Sequence, residues 1–278
     1  MRRFRRKYAL PVALLAAVLA AAAALAAPPK PVQLTGPFGA LVEPRGTLLV
    51  PDGASGRIVR VDPKTGRKTV FAKGLGRVYS LAYGPDGLYA GTATKVVRFV
   101  RGKPVTVVRG LHDVAGLAVA KDGTITLTEE TANRVVRFDA GTRSRTVLAS
   151  NGIDQPLGLA FDGAGAVLVA DSHHGRIVRV RDDGTVEPLE DGLDLPVGVT
   201  LAPDGTVLVT DHVSHLTAGK LLRLRADGTT DTLSNAKIRG LSGAAIAKNG
   251  TVYATSFYAP FIGRVTASGA LKAFPPAR

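Results

Sequence analysis

The 278-residue chain has no cysteine, no tryptophan and a single methionine, and only 5% of its residues are aromatic. Without cysteine there is no disulfide, no thiol nucleophile, no thiolate ligand for zinc and no lipid attached through a processed cysteine. Stability has to come from burial alone, which a chain of this length can supply because the buried fraction of surface rises with size. A G-x-S-x-G elbow, a phosphate-binding loop and a dinucleotide fingerprint are also missing, which removes the best-marked routes to acyl transfer, phosphoryl transfer and nicotinamide chemistry. A Ser–His–Asp grouping could be assembled from Ser172 or Ser214 with nearby histidines, but nothing singles one out. No long helical period occurs beyond the leader.

What is present begins with that leader. Arg2, Arg3, Arg5, Arg6 and Lys7 precede an alanine-rich apolar run from Val12 to Ala27, and Ala24-Leu25-Ala26 gives a small-x-small pattern before Pro28-Pro29. This order predicts a signal peptide over residues 1–26, with 27–37 a linker or a closing strand. The run is short for a permanent span, so membrane contact is expected only if the leader is retained. The protein is expected to be secreted, periplasmic or otherwise extracytoplasmic. Its formal charge of +14 becomes +9 once the leader's five cations are removed (14 − 5). A basic exported protein points to acidic envelope polymers, anionic headgroups or acidic polysaccharides as partners, against a plain solvated surface. Export argues against nucleic acid, and a monomer is expected.

Everything after Pro37 follows one period. The segments FGALVEPRG, YSLAYGPDG, AGLAVAKDG, LGLAFDGAG, VGVTLAPDG and SGAAIAKNG open on a small residue at Gly39, Ser80, Gly116, Gly158, Gly198 and Gly243, spaced 41, 36, 42, 40 and 45 residues apart. Seven positions later stands another glycine in all six, Gly46, Gly87, Gly123, Gly165, Gly205 and Gly250, where a tight hairpin needs positive φ. An aliphatic second strand follows, then a third with the pattern basic, apolar, apolar, basic, apolar (RIVRV at 57–61, RVVRF at 134–138), its sixth copy being read at Arg264-Val265-Thr266-Ala267. A more polar fourth strand closes each unit. A meander of about 40 residues cannot bury both faces alone, but six packed radially can. The expected fold is all-β: a six-bladed β-propeller of four-stranded antiparallel blades near 38–77, 78–112, 113–154, 155–195, 196–238 and 239–278. The ring could close through Val32–Thr35, or Leu271–Phe274 could fill the outer place of the last blade.

The fragments VLVADSHHGRIVRV (167–180) and LLVPDGASGRIVRV (48–61) resemble the NHL repeat, and Gln155-Pro156-Leu157-Gly158 and Leu195-Pro196-Val197-Gly198 match its proline two residues before the inner-strand glycine. More distantly the chain is similar to the senescence marker and gluconolactonase-like propellers. The NHL resemblance implies a binding or adaptor propeller. The gluconolactonase-like one implies a metal held by Glu, Asn and Asp near the inner-strand starts, where Phe38-Gly39, Leu157-Gly158 and Val197-Gly198 offer no such donor.

Loops joining second to third strands share a face with the links between blades. Thirteen positions after each opener that face carries Asp52, Glu129, Asp171, Asp211 and Ser256, while blade two offers Thr92-Ala93. A repeated carboxylate at a strand end reads as a turn clamp or as part of a ligand-binding face. All five histidines map there too. His112 enters blade three, and His173, His174, His212 and His215 flank Asp171 and Asp211 on blades four and five, a mixture that suits zinc, calcium or another divalent metal, or acid–base work. Two loops read as long, DHVSHLTAGK (211–220) and SFYAPFIGR (256–264), the second carrying Phe257, Tyr258 and Phe261 as ligand anchors or as packing over the channel. The third-strand pairs Arg57/Arg60, Arg134/Arg137 and Arg176/Arg179 point to opposite sides of their sheets and are expected in bridges between blades or as solvated stems. The leading functional expectation is a ligand-binding or protein-interaction module. The rival is a metal-dependent hydrolase, lactonase or lyase centred on the Asp171, Asp211 and histidine set, and a third reading is a scaffold in a larger assembly.

Overall fold

The glycine seven positions after each opener sits where the pattern requires it: all six have φ between +80° at Gly250 and +113° at Gly87, a region costly for residues with a Cβ. Each closes the hairpin between a first and a second strand. A computed structural model describes residues 31–162, 164–212, 219–225, 227–235 and 238–274. The expected leader over 1–26 lies outside them, as does His215. The described residues form six four-stranded antiparallel sheets whose strands pair in chain order, giving a six-bladed propeller. The first strands, Leu41–Val42, Val78–Gly84, Val114–Val119, Pro156–Phe161, Pro196–Leu201 and Leu241–Ile246, are innermost. Their residues, including Leu81, Gly116, Gly158, Val199 and Ala244, together with Gly39 just before the first of them, line a channel of only about 130 Å³.

Second strands such as Leu48–Asp52, Ile125–Glu129 and Val167–Asp171 are buried along their whole length. Packed on both faces, they supply the wedge-shaped cores between blades. Leu49, Ile58, Val78 and Val97 meet between blades one and two, and Leu168, Ile177, Val199 and Val209 between four and five. Each fully buried aliphatic side chain contributes roughly 1.5–3 kcal/mol.

Around the axis the backbones nearly touch. A Cβ on Gly158 would lie 2.5 Å from the Val197 carbonyl oxygen of the next blade, and one on Gly116 2.5 Å from that of Leu157. Gly39 differs, with nothing within 4 Å of a built Cβ. Five of the six seams are also fastened by a hydroxyl that donates to a backbone carbonyl of the following blade: Ser80 to Val114, Thr128 to Leu157, Ser172 to Pro196, Thr200 to Ala244 and Ser242 to Pro37. The last of these closes the ring. Val32–Thr35 adds no strand, and the outer place of blade six is filled by Leu271–Ala273.

The acids at the ends of the second strands act as latches. Asp52 accepts from the N–H groups of Thr35 and Gly36, both at 2.8 Å, and from Arg57 at 2.8 Å. Glu129 accepts from the His112 N–H and Arg134, Asp171 from the Asp154 N–H, His174 and Arg176, and Asp211 from the N–H groups of Asp194 and Leu195. In each case the acid holds the link entering its own blade, and in three it also holds the first arginine of the third strand. These arginines therefore bridge within a blade, as do Arg60 to Glu43 and Arg179 to Asp162, while Arg137 crosses to Asp182 of blade four.

Blade six departs from the sequence reading. Its third strand is Phe261–Val265, with Ser256 opposite Phe261, so Arg264 stands at the second basic position and Phe261 replaces the first. The loop before it is no insertion. The latch has changed chemistry at both ends: Ser256 donates to the Arg239 carbonyl, and the Phe261 ring folds over Gly263, where a Cβ would meet it at 2.4 Å. An acid lost together with its arginine leaves no unpaired charge behind.

Two outcomes test this account. Gly158→Ala should cost about 1–3 kcal/mol through overpacking, whereas Gly39→Ala should leave stability unchanged or raise it by up to about 1 kcal/mol, as read by urea denaturation. Asp52→Ala should cost about 3–5 kcal/mol at neutral pH, because Arg57 and two N–H groups lose their acceptor. Burial alone would raise the Asp52 carboxyl, but hydrogen bonds from Ser55, Arg57, Thr35 and Gly36 outweigh it and hold it below the ordinary aspartate range. The contribution is therefore complete above about pH 4, the unfolded value, and is lost as pH falls through the depressed folded value. The difference between wild type and variant should shrink on acidification.

Candidate functional site

Three positions before each opener the chain turns from the rim of the channel into an inner strand. Those positions hold Gly36, Arg77, Asp113, Gln155, Leu195 and Gly240. Asp113 and Gln155 adopt left-handed backbone, φ 50° and 48°, which is uncommon for residues other than glycine. One position after the end of the second strand come Gly53, Glu130, Ser172, His212 and Phe257. The two sets meet around the mouth of the channel.

One arc of the mouth is polar. The Tyr79 hydroxyl donates to Asp113 Oδ1 at 3.1 Å, and the Glu130 N–H donates to the Asp113 carbonyl at 3.0 Å. Gln155 Nε2 donates to Glu130 Oε1 at 3.2 Å, and Thr131 touches Asp113 Oδ2 at 3.4 Å. Glu130 Oε2 accepts no hydrogen bond among the described residues. Burial pushes the Glu130 carboxyl above the ordinary glutamate range; the Gln155 hydrogen bond opposes this, the charge of Asp113 reinforces it, and Arg77 pulls it back in part. Tyr79, buried and facing Asp113, is pushed up to about 12 and keeps its proton.

The opposite arc is aromatic. Phe38 packs edge-on against Tyr79 with ring centroids 4.9 Å apart and lies tilted against Phe257 at 4.8 Å; Phe257 then meets Tyr258 at 5.2 Å and Tyr258 meets His212 at 5.3 Å. Rings from blades two, one, six and five thus run continuously, with Tyr258, 51% accessible, the exposed member. A polar arc facing an aromatic one is the composition of a small-molecule site, an apolar wall with a few placed polar groups.

The residues singled out from the sequence divide accordingly. Phe257, Tyr258 and His212 join this rim. Asp52, Glu129, Asp171 and Asp211 are fully buried or nearly so, and their oxygens are turned to backbone and arginine donors; Ser256 is equally buried. Phe261 starts a strand instead of reaching the mouth. His173 pairs with Asp154 at 2.8 Å, His174 with Asp171 at 2.9 Å, and His112 is exposed. Asp171, Asp211, His173, His174 and His212 are not gathered as ligands, and among the described residues no three His, Asp or Glu side chains converge to hold a metal ion. The implied lactonase metal likewise finds no carboxylate or amide along the channel, where Phe38, Tyr79, Ala115, Leu157, Val197 and Ser242 stand at the inner-strand starts. Along the channel itself the donor set does not fit that metal; the carboxylates of Asp113 and Glu130 and the Gln155 amide stand at the mouth instead, and no third acid or histidine joins them among the described residues. Sequence reasoning missed Arg77, Tyr79, Asp113, Glu130 and Gln155. Extending the repeat alignment three residues upstream of the openers and one past the strand ends would have found four of them.

No family model matches the chain. Virginiamycin B lyase of Nocardia farcinica is 32% identical over 216 residues, covering 62% of this chain and 76% of that protein. Among solved structures, a catalytically inactive histidine-to-alanine variant of Staphylococcus aureus virginiamycin B lyase with quinupristin superposes with a TM-score of 0.65 at 19% identity, over 87% of this chain and 85% of the other. A gluconolactonase of Xanthomonas campestris superposes with a TM-score of 0.68 at 18% identity, over 86% and 91%. These two likenesses establish the shared propeller fold. With nearly a third of residues identical across three-quarters of a curated relative, the chain belongs to the virginiamycin B lyase family.

Proposed function

We propose that the propeller is an enzyme of the lyase type acting at the channel mouth, with Glu130 as its base. The observation that carries this is the Glu130 carboxyl at the mouth, held at one oxygen by Gln155 and within reach of the charges of Asp113 and Arg77. A half-buried carboxylate whose affinity for protons is raised, with one oxygen held by Gln155 and the other unengaged, is suited to proton abstraction. In an elimination Glu130 takes a proton from the carbon beside a carbonyl, that C–H electron pair becomes the new double bond, and the leaving oxygen departs and takes a proton from water. In this reading Arg77 offsets the negative charge that develops on the carbonyl oxygen. Tyr79 donates to Asp113 and orients it. The aromatic arc seats an apolar part of the substrate, and the relatives' names suggest virginiamycin B and quinupristin as first substrates and gluconolactone as the hydrolytic comparison. We further infer from the leader that the protein works outside the cytoplasm.

A binding module without turnover is the competing reading, favoured by the same aromatic arc. Assaying the purified protein on virginiamycin B separates the two: the lyase reading expects a product of unchanged mass with a new double bond, and binding without conversion of either virginiamycin B or gluconolactone would overturn it. Glu130→Gln should lower kcat/KM by about 10²–10⁴-fold. The wild-type rate should rise with pH through a value above the ordinary glutamate range, because the base must be ionised, and this limb should disappear in the variant. Mass spectrometry of the exported protein should find a mature chain beginning at Ala27; an intact leader would sink the cleavage expectation.

A further inference from the structure

On the face opposite the mouth, blades six and one part around a cavity of about 950 Å³, at the upper end of the range for small-molecule sites. Its walls are the first-to-second-strand turns of both blades, the third-to-fourth-strand turn of blade one, and the third and fourth strands of blade six. Five cations line it, Arg45, Lys64, Lys248, Arg264 and Lys272, against one acid, Glu43. All five are exposed, and none forms a salt bridge among the described residues. Glu43 is already engaged, by Arg60 at 2.6 Å and by Thr47. The cavity thus concentrates a balance of +4 (5 − 1), nearly half of the +9 that remains on the chain without its leader (14 − 5). Scattered surface lysines do not account for such concentration at one seam, and elsewhere in the blades most third-strand arginines, Arg223 excepted, are paired with acids.

Aromatic rings also line the cavity, Tyr83 from blade two and Tyr253 and Phe274 from blade six. Tyr83 is 38% accessible, and Tyr253 packs edge-on against Phe274 with centroids 5.8 Å apart. Rings lend flat apolar faces that stack on the C–H faces of a sugar, and unpaired ammonium and guanidinium groups alongside recognise carboxylate or sulfate. We propose that this cavity is a binding site for an acidic oligosaccharide, a short run of sugar units bearing carboxylates, held across the seam between the last blade and the first. It is separate from the channel mouth and does not depend on the lyase reading.

The test is titration calorimetry of the full chain with trigalacturonate, with maltotriose and inorganic phosphate as comparisons. Saturable binding of trigalacturonate is expected, weakened at least tenfold in Lys248→Ala/Arg264→Ala and unchanged in Glu130→Gln. A control pair, Lys103→Ala/Arg109→Ala, removes the same charge from the outer strand of blade two and should bind like wild type. The proposal is overturned if trigalacturonate does not bind or if the control pair loses as much affinity. It is equally overturned if maltotriose or phosphate binds as tightly.

Discussion

The inner strands stand so close around the axis that a single methyl group at Gly116 or Gly158 would press into the neighbouring blade's backbone. Much of the remaining architecture depends on that spacing. It puts hydroxyls of the first and second strands within reach of the next blade's carbonyls, so the seams are fastened by directional bonds as well as by apolar wedges. It also leaves too little room along the axis for a ligand of any size. Chemistry is displaced outward, to the rim where the chain turns into each inner strand.

At that rim the six blades stop being equivalent. Four of them end the second strand with a carboxylate, yet those carboxylates are consumed in holding the incoming link and so are removed from any reaction. The residues able to react are those the repeat does not share: Arg77, Asp113, Glu130 and Gln155 on blades two to four, facing the rings of blades five, six, one and two. Glu129 and Glu130 show the division within one dipeptide. The first points into the fold and accepts from Arg134 and the His112 N–H; the second points to the mouth and keeps an oxygen unengaged.

The propeller was legible because its determinants are local and repeated: a turn glycine at fixed offset, an aliphatic strand, a basic third strand. The roles of the repeated acids were half legible, since turn clamping was one of the two readings their recurrence allowed. In blade six the basic pattern is a poor marker of the third strand, because Phe261 and Gly263 replace two of its members. The site was mostly hidden. Asp113 and Gln155 matter through a left-handed backbone and a position above the channel, and neither leaves a mark in residue type. The cluster of histidines drew attention by rarity, but ring closure spreads loops that are near in sequence around a circumference.

Among the described residues every sheet is built from strands of its own blade, so the first and last blades exchange no strand. Where a propeller shares a sheet between its first and last segments, opening the ring means unzipping a ladder of backbone hydrogen bonds. Here the joint between Ser242 and Pro37 resembles the other seams, and parting it unpairs no strand. It differs in one respect: the residues it joins are separated by 205 positions, and closing a loop of that length costs on the order of 5 kcal/mol of chain entropy. The ring is therefore a clasp bracelet more than a welded hoop, and anything bridging blades six and one would act on the clasp.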